Sequence, residues 1–159
     1  MICVPPARIH DIPNGIDPEE FAPADAAQRR ELRAQLGLPA DRVICAYSGK
    51  LNRGKGLQFL VQLWREFAAE HPQLHLLLIG GGGGQAISCE TELRRMICSD
   101  NLGDKITITG YTQNVPAYLR AADYFLFPSE SETLGLALLE ALACELPAVA
   151  SRIPGIADF

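Results

Sequence analysis

The 159-residue sequence lacks the features of a membrane-spanning or secreted protein. No apolar run approaches the roughly 18 residues that indicate a transmembrane helix, and the start, "MICVPPARIHDIPNG", has neither the charged region nor the apolar core of a signal peptide. Both absences predict a cytoplasmic chain with no transmembrane segment. The net charge of −5 argues against a nucleic-acid partner, although local basic residues could bind a small phosphate.

Patterns for disulfides and metals are missing as well. The chain has five cysteines, which are Cys3, Cys45, Cys89, Cys98 and Cys144. Because they are odd in number and form no C-x-x-C pair, we predict buried, reduced thiols rather than a disulfide or zinc framework. No D-x-D motif is present either, so the sequence implies no metal site.

Histidines are few, and none of them forms a triad with a Ser or Cys nucleophile. His71 and His75 bracket Pro72 at a predicted helix-to-strand turn, and His10 precedes the "IPNG" turn. We therefore predict turn or surface positions for all three.

Strand and helix signals alternate along the whole chain. The predicted strands are "RVICAYSG", "LHLLLIG", "KITITG", "YFLFPS" and "PAVAS"; the predicted helices are "AAQRRELRAQLGL", "GLQFLVQLWREFAAEHP", "ETELRRMICSDN", "VPAYLRAAD" and residues 134–145. Uniformly apolar strands that alternate with helices are typical of a parallel sheet covered on both faces. We predict an α/β fold, a Rossmann-like doubly wound parallel sheet, in one domain over residues 1–159.

Ligands of such sheets bind beyond the carboxyl ends of the strands. The loops at these ends are "SGKLNRGKG", "IGGGGGQ", "GYTQNV" and "PSESETLG". The first loop holds Lys50 and Lys55 among glycines, which favours a phosphate, since glycine lets an anion approach the backbone and lysine supplies positive charge. The alternative is an ordinary solvated loop with two exposed lysines.

A second anion site is predicted at the helix that begins near Leu134. Its first turn has free amides at Gly135 and Leu136, and a helix N-terminus favours negative charge. The alternative is an ordinary helix start that Ser129 or Thr133 caps with its side chain.

Two glutamates, Glu132 and Glu140, lie eight residues apart around this helix start. Glu140 interrupts the apolar run "LGLALLEALAC", so the helix looks buried on every side and its carboxylate needs donors from the protein or from a ligand. Glu140 should lie about 9 Å along the helix axis. The two carboxylates should therefore flank the anion site. In glycosidases, by contrast, the two catalytic carboxylates lie on either side of a single glycosidic bond.

Five motifs in this order resemble the large family of retaining glycosyltransferases with the GT-B fold, called family four or group one. They are "IPNGIDPEEFAP", "YSGKLNRGKG", "LLLIGGGG", "ITITGYTQNVPAYLRAADYFLFPS" and "PSESETLGLALLEALACELPAVAS". The resemblance covers almost the whole chain and corresponds to the C-terminal, donor-binding half of such enzymes. Departures from the family pattern include Lys50 for a usual arginine and Glu145 for a usual glycine.

The resemblance implies roles for individual residues. Lys50 and Lys55 would hold the diphosphate of a nucleotide sugar, and Glu132 would accept hydroxyls of the transferred sugar. The residues that would bind the rest of the donor are Gly49, Tyr111, Thr112, Gly135, Leu136 and Glu140. Of these, Tyr111 and Thr112 would line the base, the amides of the helix start would meet the phosphates, and Glu140 would accept the ribose hydroxyls.

The glycine run at residues 80–84 matches G-x-G-x-x-A only because it is so rich in glycine. The next predicted strand ends without an acidic residue for a ribose, so a dinucleotide fingerprint is a weak interpretation. We predict a flexible loop near the nucleotide.

The resemblance therefore predicts transfer of a sugar from a nucleoside-diphosphate sugar to an unknown acceptor, with retention and with no cofactor besides the donor. An N-terminal GT-B domain or subunit would supply the acceptor site, so this chain alone should bind rather than turn over. The ending "SRIPGIADF" looks like the start of an unfinished helix, which predicts truncation at the C-terminus. The alternatives are a nucleotide-sugar-binding module without activity of its own and half of a GT-B sugar-nucleotide epimerase.

Overall fold

The computed structural model describes Pro5, Arg8, His10, Ile12 and residues 14–84 and 86–157. The helices are α1 (Ala26–Leu36), α2 (Leu57–Glu70), α3 (Glu90–Ser99), α4 (Val115–Ala121) and α5 (Leu136–Ala143). The strands are β1 (Val43–Ser48), β2 (Leu74–Ile79), β3 (Ile106–Ile108), β4 (Tyr124–Phe127) and β5 (Ala148–Ala150). The observed bounds of every helix and strand fall inside the segment predicted for that element. None of the helices in the described ranges has the length and apolar composition to cross a membrane.

The five strands form one parallel sheet in the order β3-β2-β1-β4-β5. The chain therefore runs from β1 outward to β3, crosses back over the sheet, and continues from β4 to β5 on the other side. The predicted α/β, Rossmann-like doubly wound sheet is confirmed. This reversal of strand order lies between β1 and β4, and the loops that follow these two strands diverge there, which leaves a crevice at the carboxyl edge.

Local sequence signals account for the helix positions. Asp25 caps α1 by accepting hydrogen bonds from the amides of Ala27 and Gln28, and the Gln28 side chain accepts from the Asp25 amide in return. Helix α2 buries a stripe of apolar residues at helical spacing, which are Leu57, Leu60, Val61, Trp64 and Ala68. Both helices thus follow from short-range patterns that are legible in the sequence.

A partly buried ionic network ties α1 to the sheet. Arg33 in α1 is buried, and its guanidinium lies 2.7 Å from the Asp123 carboxylate just before β4. The same carboxylate accepts a hydrogen bond from the Ile44 amide in β1 at 2.7 Å. Arg33 also donates to the backbone oxygens of Ala121 and Arg42. These contacts hold α1, β1 and the start of β4 in one arrangement.

The prediction that α5 is buried on every side is wrong. Leu136 and Leu142 in this helix are 38% and 44% exposed, and Val149 in β5 is 68% exposed. Helix α5 packs against β4 and β5, and β5 is the last strand of the sheet. An apolar composition therefore placed α5 in the core, whereas its position at the sheet edge leaves one side open.

The predicted burial of the cysteines holds for three of them. Cys45, Cys89 and Cys144 are buried free thiols, whereas Cys98 near the end of α3 is exposed. Cys3 lies outside the described residues. Burial raises the pKa of the Cys45 thiol to about 11, so this thiol stays protonated near neutral pH.

The predicted turn position of His75 is also wrong. His75 lies in β2, is only 4% exposed, and places its Nε2 atom 2.9 Å from the Thr107 hydroxyl in β3. Burial, followed by the positive charge of Arg42, lowers the pKa of His75 to about 4. The register of β1 and β2 begins one residue earlier, at Val43 and Leu74, so the turn ends before His75.

The fold should lose stability in mild acid because of His75. Its native pKa, about 4, lies below the value of about 6.5 expected in the unfolded chain, so the unfolded state binds more protons between these pH values. The free energy of unfolding should fall by about 2.5 kcal/mol as the pH decreases from 6.5 to 4. Chemical denaturation at several pH values measures this slope. His75→Gln should flatten it, whereas His71→Gln at the exposed end of α2 should not; equal slopes in all three proteins would contradict the assignment.

Candidate functional site

Two clefts open at the carboxyl edge of the sheet. The first, here called the glycine cleft, has a volume of about 430 Å³ and lies between the loops that follow β1, β2 and β3. Its lining includes Gly49, Lys50, residues 80–83, Tyr111 and Thr112. Tyr111 is 83% exposed and stands at the mouth of this cleft. The loops that follow β1, β2 and β3 therefore meet at one place, as the sequence predicts.

The second cleft, here called the crevice, has a volume of about 410 Å³ and lies between the loops after β1 and β4. It coincides with the reversal of strand order in the sheet. Its lining includes Gly49, Lys50, Lys55, Glu132, Gly135 and Leu136. Since Gly49 and Lys50 line both clefts, the two clefts adjoin each other with Lys50 at the junction.

Lys55 and Glu132 form an ion pair inside the crevice. Lys55 Nζ lies 2.6 Å from Glu132 Oε1, and the Ser129 hydroxyl donates to the same oxygen at 3.0 Å. Both side chains are only partly accessible to water, so this pair is shielded more than a surface pair would be. Each charge thus has the other as its main partner.

Close approach of backbones positions the two lysine-bearing turns. Gly56 has a φ of +67°, and a Cβ atom there would lie 2.1 Å from the Pro128 oxygen, so the turn after Lys55 packs directly on the loop after β4. Gly80 has a φ of +133°, and a Cβ atom there would lie 2.1 Å from the Gly49 oxygen. Larger residues at either position would push the loops apart and widen the site.

The start of α5 has no side-chain cap. Gly135 occupies the N-cap position in a left-handed conformation, and no described side chain accepts a hydrogen bond from the first turn. The alternative in which Ser129 or Thr133 caps this helix is therefore wrong, because the Ser129 hydroxyl bonds Glu132 instead. The first turn of α5 faces the crevice through Gly135 and Leu136, with its positive dipole end at the cleft.

Glu140 is placed differently from the other predicted residues. It is half-buried, and no described residue donates a hydrogen bond to its carboxylate. Burial, and then the nearby carboxylate of Glu20, raises its pKa above the ordinary value. It lines neither cleft. Since α5 begins at Leu136 rather than near Leu134, Glu140 lies about 6 Å along the axis instead of the 9 Å expected.

Some lining residues were not among the predicted site residues. Asn14 and Tyr47 line the crevice, and Val115 lines the glycine cleft. The Tyr47 hydroxyl donates to the Lys50 oxygen at 3.2 Å and so supports the turn that carries this lysine. Asn14 belongs to the "IPNG" segment, which was noted as a motif without a role. Within the described ranges, no group of three or more His, Cys, Asp or Glu side chains could hold a metal ion.

Comparison with known proteins agrees with this architecture. A family model described as "Glycosyl transferases group 1" matches residues 28–159. The chain is 34% identical over 155 residues to a D-inositol 3-phosphate glycosyltransferase of Segniliparus rotundus, a match that covers 95% of this chain and 33% of that relative. It therefore spans about a third of the length of the curated relatives that it matches.

Solved structures show the same fold. HepE from Anabaena, crystallised with UDP and glucose, superposes with a TM-score of 0.79 at 25% identity, over 91% of this chain and 38% of HepE. Sucrose-phosphate synthase from Thermosynechococcus elongatus gives a TM-score of 0.74 at 34% identity, over 91% of this chain and 35% of the synthase. Since the family model covers most of the sequence, the chain belongs to the group 1 glycosyl transferases.

Proposed function

We propose that this chain is the donor-binding half of a retaining GT-B glycosyltransferase, which transfers a sugar from a nucleoside-diphosphate sugar to an acceptor. One observation carries the proposal: Lys50, Lys55, Glu132 and the uncapped start of α5 all line one crevice at the reversal of strand order. This crevice continues through Lys50 into the glycine cleft. The joined clefts thus offer two lysines and a helix N-terminus to a diphosphate, and a separate cleft to the base.

The diphosphate would lie at the junction of the two clefts. Lys50 lines both of them, and Lys55 and the uncapped start of α5 line the crevice. Two positive charges and a helix N-terminus together stabilise the negative charge that grows on a leaving diphosphate. No metal ion is needed for this role, so donor binding should be independent of magnesium.

The sugar would lie beside Glu132. Its carboxylate is oriented by the Ser129 hydroxyl and by Lys55, which both contact Oε1. A carboxylate held in this way can accept hydrogen bonds from the hydroxyl groups of a sugar. These bonds would fix the orientation of the sugar toward the acceptor substrate. Lys55 would then serve two partners, the diphosphate and Glu132.

The base would enter the glycine cleft. Its wall consists largely of backbone from residues 80–83, and Tyr111 and Thr112 stand at its open side. An exposed aromatic ring next to a narrow cleft can stack on a base. Because HepE, which has the same fold, holds UDP, UDP is the first nucleotide to test.

Transfer requires a second half. The chain spans about a third of the length of its curated relatives, and both clefts lie at the carboxyl edge of the sheet. We propose that an N-terminal GT-B domain or subunit closes over this edge and supplies the acceptor site. The expected cytoplasmic location stays a prediction from the sequence.

The transferase proposal is tested by combining this chain with a separately expressed N-terminal domain of a group 1 enzyme, a labelled donor and the acceptor that this enzyme uses. Labelled product should form with both halves and not with either one alone, and it should retain the anomeric configuration of the donor. Release of an isomerised sugar would instead identify an epimerase. Donor binding without product in any combination would identify a binding module.

Glu140→Gln should separate a ligand role from a structural role. The family resemblance implies that Glu140 accepts hydrogen bonds from the ribose hydroxyls, although Glu140 lines neither cleft. If it does so, the change should weaken ribonucleotide binding by about 1 to 2 kcal/mol, because an ionic acceptor is lost. The native pKa of Glu140 is raised, so the carboxylate destabilises the apo fold above this pKa. The variant should therefore be more stable than the wild type at pH 7, and the gain should shrink as the pH falls toward 4.

Calorimetric binding and denaturation at the two pH values measure both effects. The control ligand is a nucleotide whose ribose lacks both hydroxyls, with which the variant and the wild type should bind equally. A binding deficit that persists with this ligand would remove Glu140 from the ribose site. A loss of stability at pH 7 would identify a structural carboxylate.

A further inference from the structure

Glu90, the first residue of α3, is bonded to the loop that forms the glycine cleft. Its Oε2 atom accepts a hydrogen bond from the Gly82 amide at 2.7 Å. Its Oε1 atom accepts two hydrogen bonds from Arg94, one turn later, at 3.0 and 2.8 Å. Arg94 thus fixes the carboxylate, and the carboxylate fixes Gly82. This contact joins the glycine run to the start of α3.

The loop is shaped around this contact. A Cβ atom at position 82 would lie 1.8 Å from the Ser88 hydroxyl, so only glycine lets the backbone approach the start of α3. On the other side, the Gly81 oxygen accepts from the Leu51 amide at 3.2 Å, and the Leu51 oxygen accepts from the Cys89 amide. The wall of the cleft is therefore held between the loop after β1 and the start of α3.

An ordinary helix-dipole role does not account for Glu90. Glu92 lies in the same first turn of α3 and has the same charge, but the contact that it makes is an ion pair with Arg53 at 3.9 Å. Stabilisation of a helix N-terminus requires only a nearby negative charge, which Glu92 already supplies. The dipole role therefore does not explain why Glu90 accepts hydrogen bonds from the Gly82 amide and from Arg94.

The bond also determines what the glycine run can bind. Glycine-rich loops hold phosphates through free amides, but the Gly82 amide is taken by Glu90. A carboxylate at this position repels a phosphate, whereas the lysines in the crevice attract one. The glycine cleft is left for the uncharged end of the donor.

We propose that Glu90 is a positioning residue that holds Gly82 and thereby fixes the wall of the cleft against which the nucleoside packs. This role rests on the proposed function, since it needs a nucleotide in the cleft. The hydrogen bonds from Gly82 and Arg94 also lower the pKa of Glu90, which agrees with a carboxylate that stays ionised in its tether. Glu90 would act through the loop and touch neither the diphosphate nor the sugar.

The test compares the 159-residue wild type with Glu90→Ala, Glu90→Gln and the matched control Glu92→Ala. Calorimetry with UDP and with inorganic pyrophosphate separates the nucleoside end from the diphosphate end. Glu90→Ala should weaken UDP binding about tenfold and leave pyrophosphate affinity unchanged. Glu90→Gln keeps an acceptor oxygen for Gly82 and should recover most of the loss. Glu92→Ala should bind both ligands like the wild type.

Amide hydrogen exchange at Gly82, followed by NMR, tests the tether without any nucleotide. Exchange should be at least about tenfold faster in Glu90→Ala than in the wild type or Glu92→Ala. Unchanged exchange would overturn the inference, and so would faster exchange without a loss of UDP affinity, or an equal loss with pyrophosphate. If the wild type binds no nucleotide, the proposed function fails and this role fails with it, while the exchange data still show whether the tether exists.

Discussion

Asp123→Ala is expected to lower the free energy of unfolding by about 3 kcal/mol, because it breaks a largely buried charge pair from one side. Arg33, whose guanidinium now lies 2.7 Å from the Asp123 carboxylate, would remain buried without this partner. The Ile44 amide would also lose its hydrogen-bond acceptor. Arg29, whose side chain pairs with the other oxygen of Asp123, would lose a weaker contact. Equilibrium denaturation in urea measures the change.

The matched control is Asp104→Ala, which removes the same charge from an exposed carboxylate paired with Arg42 at 3.6 Å. This change should lower the free energy of unfolding by less than about 1 kcal/mol. Asp123→Asn keeps an oxygen for the Ile44 amide and should fall between the two, which provides a measurable variant if the alanine protein does not fold. Equal costs for Asp104→Ala and Asp123→Ala would show that the network does not stabilise the fold.

Lys55→Ala should weaken binding of a nucleoside diphosphate by about 1.5 to 3 kcal/mol, or roughly 10- to 100-fold. The change removes a positive charge from the proposed phosphate site. It also leaves Glu132, now 2.6 Å from its partner, as an unpaired negative charge that repels the phosphates. Binding of a nucleoside monophosphate should weaken less, because Lys50 at the junction of the clefts would meet the first phosphate.

Calorimetry with matched mono- and diphosphates measures the difference. Lys105→Ala is the control for the loss of a lysine, since Lys105 precedes β3 at the opposite edge of the sheet, beside Asp104. Glu132→Gln removes the carboxylate but keeps Lys55, so it should not weaken diphosphate binding. Equal losses for mono- and diphosphates in Lys55→Ala would place Lys55 outside the diphosphate site.

The order and type of the elements could be predicted because their signals are local. Helix α2 shows its buried stripe in the sequence, and β1 and β2 are mostly apolar runs that are each followed by a glycine. Burial was less predictable, because it depends on neighbours that are distant in the chain. His75 follows a turn in the sequence yet is covered from the neighbouring strand by Thr107, and α5 is apolar yet lies beside the last strand of the sheet.

The site was predictable in its parts and not in its contacts. Parallel strands bring their carboxyl ends to one edge, so the loops carrying Lys50, Lys55, Tyr111 and Glu132 could be expected to meet there. The Lys55–Glu132 pair joins residues 77 positions apart, and its existence depends on how closely the turn at Gly56 packs on the loop after β4. No periodicity or motif encodes such an approach.

The measurement that tests the proposal most directly is calorimetric titration of this chain with a panel of nucleoside diphosphates in excess chelator. At least one of them, beginning with UDP, should bind with a Kd below about 1 mM, and more tightly than the corresponding monophosphate. Binding should persist without magnesium, since Lys50, Lys55 and the start of α5 would supply the positive charge at the diphosphate. Failure of every nucleoside diphosphate to bind, or binding that disappears in chelator, would contradict the assignment of these clefts to a nucleotide-sugar donor.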